Sequence, residues 1–276
     1  MLESNLMKRL VFLSSLLFAM CAFAQTPVEI SAEPHHHLVF ENQYFRVFDV
    51  IVPPNIATLM HQHRHDYFFV TLGDTDISNQ IANWNPPAPI ELRIKDGETR
   101  FAPGNFAHLV RDLAKTPFRN ITIEYLQDQQ AHQAPPVAWN EERGVHVLDG
   151  GTEEILFVKD GIRVSETELQ PKAVFPARAS FGQHLLVAVT DLDLRPATAA
   201  ETAAGMHSHQ FAEPQSLPSK PEMRSPSSSS HAPRPAQSSA HLRMKSGDVK
   251  WFEGGPSQGV VNVARTKARF VILELH

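Results

Sequence analysis

From residue 38 onward the apolar residues fall into short β-branched and aromatic blocks, separated by Pro, Gly, Asn and Asp. "HLVFENQYFRVFDVIVPP", "DYFFVTLGD", "IELRIKDGE", "TRFAPGNFAHLV" and "FRNITIEYL" each read as a strand or strand pair. No stretch sustains the three-to-four-residue apolar spacing of an amphipathic helix. The pattern predicts an all-β protein of the sandwich or barrel type.

The pattern also repeats. Residues 38–74 align without a gap on 155–191, an offset of 117 that pairs Phe40 with Phe157, Arg46 with Arg163 and Pro54 with Pro171. Further on, "DGETRFAPGNFAHLV" lies over "SGDVKWFEGGPSQGV" at an offset of 150, and "TPFRNITIEY" falls on "TKARFVILEL", pairing Arg119 with Arg269 and Glu124 with Glu274. Two copies of one β-domain are expected, at 25–127 and 151–276, joined by a polar linker at 128–150. The difference between the offsets, 150 − 117 = 33 residues, places an insertion in the second copy at about 197–240. Its Pro- and Ser-rich core, "QSLPSKPEMRSPSSSSHAPRPAQSS", has too few apolar residues to repay ordering and is expected to be a disordered surface loop.

The N-terminus has a different composition. Lys8 and Arg9 precede the apolar run "LVFLSSLLFAM", and "AFAQ" follows with small residues placed for cleavage after Ala24. Residues 1–24 read as a signal peptide, so the mature protein is expected to be periplasmic or secreted, without a stable membrane anchor. Cys21, the only cysteine, lies inside that segment, so no disulfide is expected afterwards. The formal charge of −5 gives no electrostatic case for nucleic acid.

Histidine is over-represented, with 15 residues, and its arrangement carries the chemistry. In "MHQHRHDYFFVTLGD", His61 and His63 project from one face of a strand and can converge on one cation. His65 shares their parity and is a candidate fourth ligand. In "GETRFAPGNFAHLVRDL", a turn at Pro103–Gly104 returns the chain so that His108 can meet the first two from across a barrel. These two stretches together resemble the motifs of the cupins. The first motif is HxH followed by a Glu and a Gly, and the second is a Gly, then P-x-G, then a His and an Asn. Here Gly97 and His108 are kept, Pro103 is followed directly by Gly104, and Leu113 or Asp112 stands near the Asn position. The sequence departs from the pattern at the Glu, where Tyr67 stands in the inward parity; Asp66, the nearest carboxylate, has the opposite parity.

The resemblance implies two jelly-roll β-barrels in tandem, with a divalent transition metal held by His61, His63 and His108 in the first. Fe, Mn, Ni, Cu and Zn all suit three imidazoles with open positions. It further implies oxygenase-type chemistry on a small chelating organic substrate, with Tyr67 as a hydrogen-bond donor beside the metal. The alternative is a bicupin that binds or senses a ligand without turnover. Strand-mediated homodimers occur in the family, so a second copy of the chain is a candidate partner.

In the second copy His61 falls on Arg178, His63 on Ser180 and His108 on Gln258, with His184 at the Tyr67 position. That barrel is expected to hold no metal and to serve as a structural half, with Arg178 and Gln258 an anion site as the alternative. His35 to His37 are expected in a solvated N-terminal segment, with alternate residues reaching a barrel mouth as the alternative, and His207 and His209 at the edge of the insertion. Arg46 and Arg163, repeated at one strand position, are expected to make a structural salt bridge or a backbone contact.

Overall fold

The computed structural model describes residues 26–82, 88–133, 144–206 and 241–276. The segment expected to be a signal peptide and its expected cleavage site, the middle of the linker at 134–143, and the insertion from 207 to 240, with His207 and His209, lie outside the described residues.

Among its described residues the first half forms ten strands: β1 (Val28–Glu29), β2 (His36–Glu41), β3 (Phe45–Val52), β4 (His61–His63), β5 (Tyr67–Leu72), β6 (Thr75–Ile81), β7 (Ile90–Ile94), β8 (Thr99–Ala102), β9 (Phe106–Asp112) and β10 (Phe118–Tyr125). They form two five-stranded sheets, ordered β1-β4-β9-β6-β7 and β2-β3-β10-β5-β8. A short helix, α1 (Asp128–Gln133), follows.

The second half contains β11 (Gly144–Leu148), β12 (Gly151–Lys159), β13 (Ile162–Leu169), β14 (Val174–Phe175), β15 (Arg178–Phe181), β16 (His184–Ala188), β17 (Leu192–Pro196), the helix α2 (Ala199–Met206), β18 (Leu242–Met244), β19 (Val249–Phe252), β20 (Gly255–Ser257), β21 (Val260–Asn262) and β22 (Ala268–Leu275). Its large sheet is ordered β11-β12-β13-β22-β16-β19. Without the edge strand β11, this is the β2-β3-β10-β5-β8 order of the first half with each strand replaced by its repeat partner. A register shift between Leu38 and Phe40 recurs between Ile155 and Phe157, so the copies share even a bulge. The polar stretch 128–150 carries structure at both ends, α1 and β11, and the insertion begins with α2.

The two large sheets face one another. Phe45, Val47, Phe68, Val70, Ile121 and Ile123 of the first barrel form one buried cluster with Ile162, Val164, Leu185, Val187, Val271 and Leu273 of the second. This explains why "DYFFVTL" reads as a continuous apolar run. Phe68 and Val70 face the other barrel, while Tyr67 and Phe69 face their own interior. Each buried aromatic or aliphatic side chain contributes about 1.5–3 kcal/mol, so the interface is a core in its own right.

Two arginines close the interface reciprocally. Arg119 pairs with Asp49 and donates from Nη1 to the Ser246 carbonyl at 3.1 Å. Its repeat partner Arg269 pairs with Glu166 and reaches Asp96 at 2.6 Å. Each guanidinium lies against a glycine in the opposite turn, Gly247 (φ +90°) or Gly97 (φ +80°). A Cβ on Gly97 would stand 2.1 Å from Arg269 Nη2, and one on Gly247 2.4 Å from Arg119 Nη2. Glycine is required there both by the backbone conformation and by the packed guanidinium.

Candidate metal centre

His61 and His63 occupy alternate positions of β4, and β4 pairs antiparallel with β9 so that His61 stands directly opposite His108. The third imidazole therefore comes from the neighbouring strand of the same sheet, not from across the barrel as the hairpin suggested. Adjacent strands are about 4.8 Å apart, which brings the three rings together without any bulge. All three histidines are buried, and one nitrogen of each lies within 4.8 Å of the others.

Their outer nitrogens fix the rings. His61 Nδ1 donates to the Leu59 carbonyl at 2.9 Å and His108 Nδ1 to Asn79 Oδ1 at 3.0 Å. Those bonds leave Nε2 of each ring as a bare lone pair pointing inward. His61 Nε2 is buried without a hydrogen-bond partner. His63 Nε2 and His108 Nε2 approach to 3.2 Å, about the span of two neighbouring ligands on one cation with metal–nitrogen bonds of ~2.1 Å. Burial, reinforced by the neighbouring imidazoles, lowers His61 to about 4 and holds His63 and His108 well below the usual histidine range. The rings are neutral near pH 7, the form that binds a metal. An orphaned buried nitrogen and a close nitrogen pair are what a cation would resolve, so these residues fit one.

The triad opens on a cavity of about 430 Å³ inside the barrel. Its walls are mostly apolar, with Val50, Phe69, Ile77, Phe106 and Val110 among them, and Asn79, Asn120 and Thr122 supply a few polar groups. Tyr67, Phe69 and Phe106 line this space without filling it.

No family model and no curated protein matches the sequence. Solved structures do resemble the fold. A serine-to-alanine variant of Bacillus subtilis oxalate decarboxylase matches with a TM-score of 0.52 at 11% identity, covering 90% of this chain and 76% of that one. A Lactobacillus farciminis oxalate decarboxylase–formate complex matches with a TM-score of 0.51 at 10% identity, covering 90% and 85%. A cupin 2 conserved barrel domain protein from Leptotrichia buccalis gives 0.45 at 9% identity, covering 91% and 92%. The fold is a tandem cupin. At these identities the likeness extends to the architecture alone.

Against the cupin pattern, the first barrel has a tyrosine where a carboxylate is expected. Tyr67 lies flat on His63, with ring centroids 4.0 Å apart and planes at 15°. Burial, together with the Glu124 charge, pushes its phenol above its usual range, so it stays neutral. A carboxylate does stand nearby, from a strand the motif does not include. Glu124 on β10 is directly opposite Tyr67 in register, and its Oε1 is 3.6 Å from His63 Nδ1, behind the ring. Arg46 Nη1 lies 3.7 Å from its other oxygen. Burial raises Glu124 to about 7 against the lowering effect of Arg46. The sequence held a signal for it: Asn120, Thr122 and Glu124 alternate with apolar residues on a strand buried on both faces, and Glu124 recurs as Glu274.

His65, the fourth candidate, does not join the triad: β4 ends at His63, the chain turns, and His65 Nδ1 bonds Asp128 Oδ1 at 2.9 Å. Inward parity does not survive the end of the strand. Nor is the His35–His37 run wholly solvated, because β2 begins at His36 and the His36 ring is buried, 4.6 Å from the His61 ring. Asp66 faces away from the triad, as its parity implied. It accepts the Gly104 N–H at 2.7 Å and His132 at 2.9 Å, fastening the turn before β9 to the corner between β4 and β5. A Cβ on Gly104 would lie 2.6 Å from the His65 carbonyl oxygen, so only glycine permits that approach. Asp66, His132 and Asp160 also cluster, but His132 is already bonded to Asp66 and Asp160 is paired with Lys159.

In the second cupin barrel, Arg178 on β15 occupies the His61 position. Its guanidinium pairs with Glu153 and lies over the Phe181 ring at 4.6 Å. Gln258 donates to the Ala197 carbonyl at 3.3 Å. The Arg178 charge is balanced by Glu153 and the Gln258 amide is turned to the backbone. His184, at the Tyr67 position, is stacked between Phe181 and Phe252 with centroids at 4.1 and 4.8 Å. Arg163 pairs with Glu274 as Arg46 does with Glu124, so the repeated arginine makes an ion pair in both barrels.

Proposed function

We propose that the first barrel holds one divalent transition metal on His61, His63 and His108, and that the protein uses it to bind a small chelating organic molecule and act on it as a dioxygenase-like oxidoreductase. The observation that carries this reading is the set of three inward nitrogens, two of them 3.2 Å apart, at the wall of a cavity of about 430 Å³. Pockets for small molecules span roughly 300–1,000 Å³ and combine apolar walls with a few polar groups. Solved oxalate decarboxylases share the fold, and one from Bacillus subtilis is described by its Mn(II) centres (TM-score 0.51, 10% identity). That lends support to a metal at this place in the barrel without naming it for this chain.

Bound there, a divalent cation supplies a Lewis acid with open positions. The chain's own residues do the rest. Leu59 and Asn79 hold two of the imidazoles in the ligating tautomer, and Tyr67 keeps the His63 ring in plane. The aromatic wall excludes water and favours a ligand with an apolar body, while Asn120 and Thr122 can orient its polar end. The signal segment supports an exported protein meeting its substrate outside the cytoplasm.

A second reading is a ligand-binding bicupin without turnover. A cavity plugged by Tyr67, Phe69 or Phe106 would favour it, whereas the open space they surround favours the enzyme. Metal analysis of the purified chain tests both, with about one transition-metal equivalent expected and none after His61→Ala with His63→Ala. A metal-free wild type from metal-replete expression would sink both readings. Oxygen consumption with candidate chelating substrates then separates enzyme from binder.

A further inference from the structure

Arg100 lies outside the triad, yet its place in the sheet turns it toward the same cavity. β8 pairs with β5 so that Arg100 stands opposite Phe69 and Ala102 opposite Tyr67. Residues directly opposite in an antiparallel pair share a face. Phe69 and Tyr67 line the cavity, so Arg100 projects inward with them. Thr99 and Phe101 take the other face, that of Val70 and Phe68, which packs on the second barrel. Among the described residues that line the cavity, Arg100 is the one with a permanent charge, and no carboxylate lines it. β8 is the outer strand of its sheet and the Arg100 side chain is 35% exposed, so the guanidinium sits at the rim.

Its partner leaves part of it open. Nε donates to Glu98 Oε1 at 2.6 Å, and Nη2 reaches the same oxygen. The other Glu98 oxygen accepts the Lys95 N–H at 2.9 Å. Glu98 thus takes the Nε–Nη2 edge of the guanidinium, and among the described residues nothing bonds Nη1. The Nη1–Nη2 edge is one that a carboxylate can meet with two parallel hydrogen bonds. Both members of the pair are about one-third exposed, and such a pair contributes little to stability. Arg178 in the second barrel differs, because its partner Glu153 is buried and its guanidinium is covered by Phe175 and Phe181.

The triad comes from the facing sheet. Packed sheets lie about 10 Å apart. A ligand held on the cation by one end can therefore offer its other end to Arg100, with Phe69 and Phe106 along its body.

We propose that Arg100 selects a ligand with a carboxylate at the end remote from its chelating group, the two ends separated by a compact apolar body. The proposal rests on the metal reading above. A cation on neutral imidazoles and a guanidinium at the rim favour negative charge at both ends of the ligand. The apolar wall between them disfavours charge in the middle.

The test uses the full chain loaded with Co(II) and titrated with benzohydroxamate and 4-carboxybenzohydroxamate, read by the visible spectrum of the cobalt. The two probes share a chelating end and differ only in the far carboxylate. The wild type should bind the carboxylated probe about tenfold more tightly, the gain expected of a charge-assisted pair at a partly exposed site. Arg100→Gln should keep about one cobalt equivalent and bind the two probes alike. Arg100→Met, which keeps the apolar stem, carries the test if Arg100→Gln does not fold. Wild-type affinities for the two probes within about twofold overturn the proposal. So does a preference that survives in a folded variant, or a wild-type cobalt site that takes neither probe. These three outcomes leave the metal reading standing. A wild type that takes up no cobalt overturns that reading, and the proposal with it.

Discussion

The two barrels share strand order, a bulge and an Arg–Glu pair, yet they fill the same interior position with opposite chemistry. The first places three neutral imidazoles around a point that lacks positive charge. The second puts a guanidinium there, Arg178, already paired with Glu153 and stacked on Phe181. One barrel holds a demand for a cation and the other carries a built-in one. A duplicated scaffold can therefore keep its packing while its two interiors differ, because the interior position tolerates either solution once its charge is balanced.

That contrast can be broken most sharply at the triad. His61→Ala with His63→Ala should abolish metal content by elemental analysis, while Arg178→Ala should leave it unchanged. Arg178→Ala should instead strand the buried Glu153 and cost about 3–5 kcal/mol in chemical denaturation. If the pair is only a substitute for a cation, the double change Arg178→Met with Glu153→Leu should cost much less.

Next in size are the paired glutamates. Glu124→Gln should weaken metal binding about 10- to 100-fold, the range found when a group behind a metal-bound histidine is altered. Glu274→Gln should leave metal affinity as it was; an equal effect from both would mean that Glu124 acts through the interface and not through His63. The smallest effects belong to what the barrels share. Gly97→Ala and Gly247→Ala should each lower stability by about 1–3 kcal/mol, since each puts a Cβ at positive φ against a guanidinium. Similar drops in melting temperature would show the interface to be energetically two-sided.

Much of the first barrel was legible because its signals are local. Strand blocks, the two offsets and the alternation of His61 and His63 each depend on spacing along one segment. His65 shares the parity of His61 and His63 but not their place, because alternation holds only while the strand lasts, and β4 stops at His63. That a residue of "HHH" could reach a barrel mouth was legible, but which one, and its burial, depend on Glu33 and on β3, which nothing in "HHH" records. Glu124 was present as a repeated residue, but its place behind His63 is set by pairing between β10 and β5.

The sequence by itself determined the all-β class, the duplication and the residue types available at each inward position, since side-chain alternation follows from the backbone of a strand. Only the tertiary structure decided which strands became neighbours. That choice put His108 beside His61 on an adjacent strand, Glu124 behind His63 and His36 over the cavity. The physical reason is distance: a ligand set, like a salt bridge, depends on separations of a few ångströms, and those are fixed by sheet register and by packing between sheets.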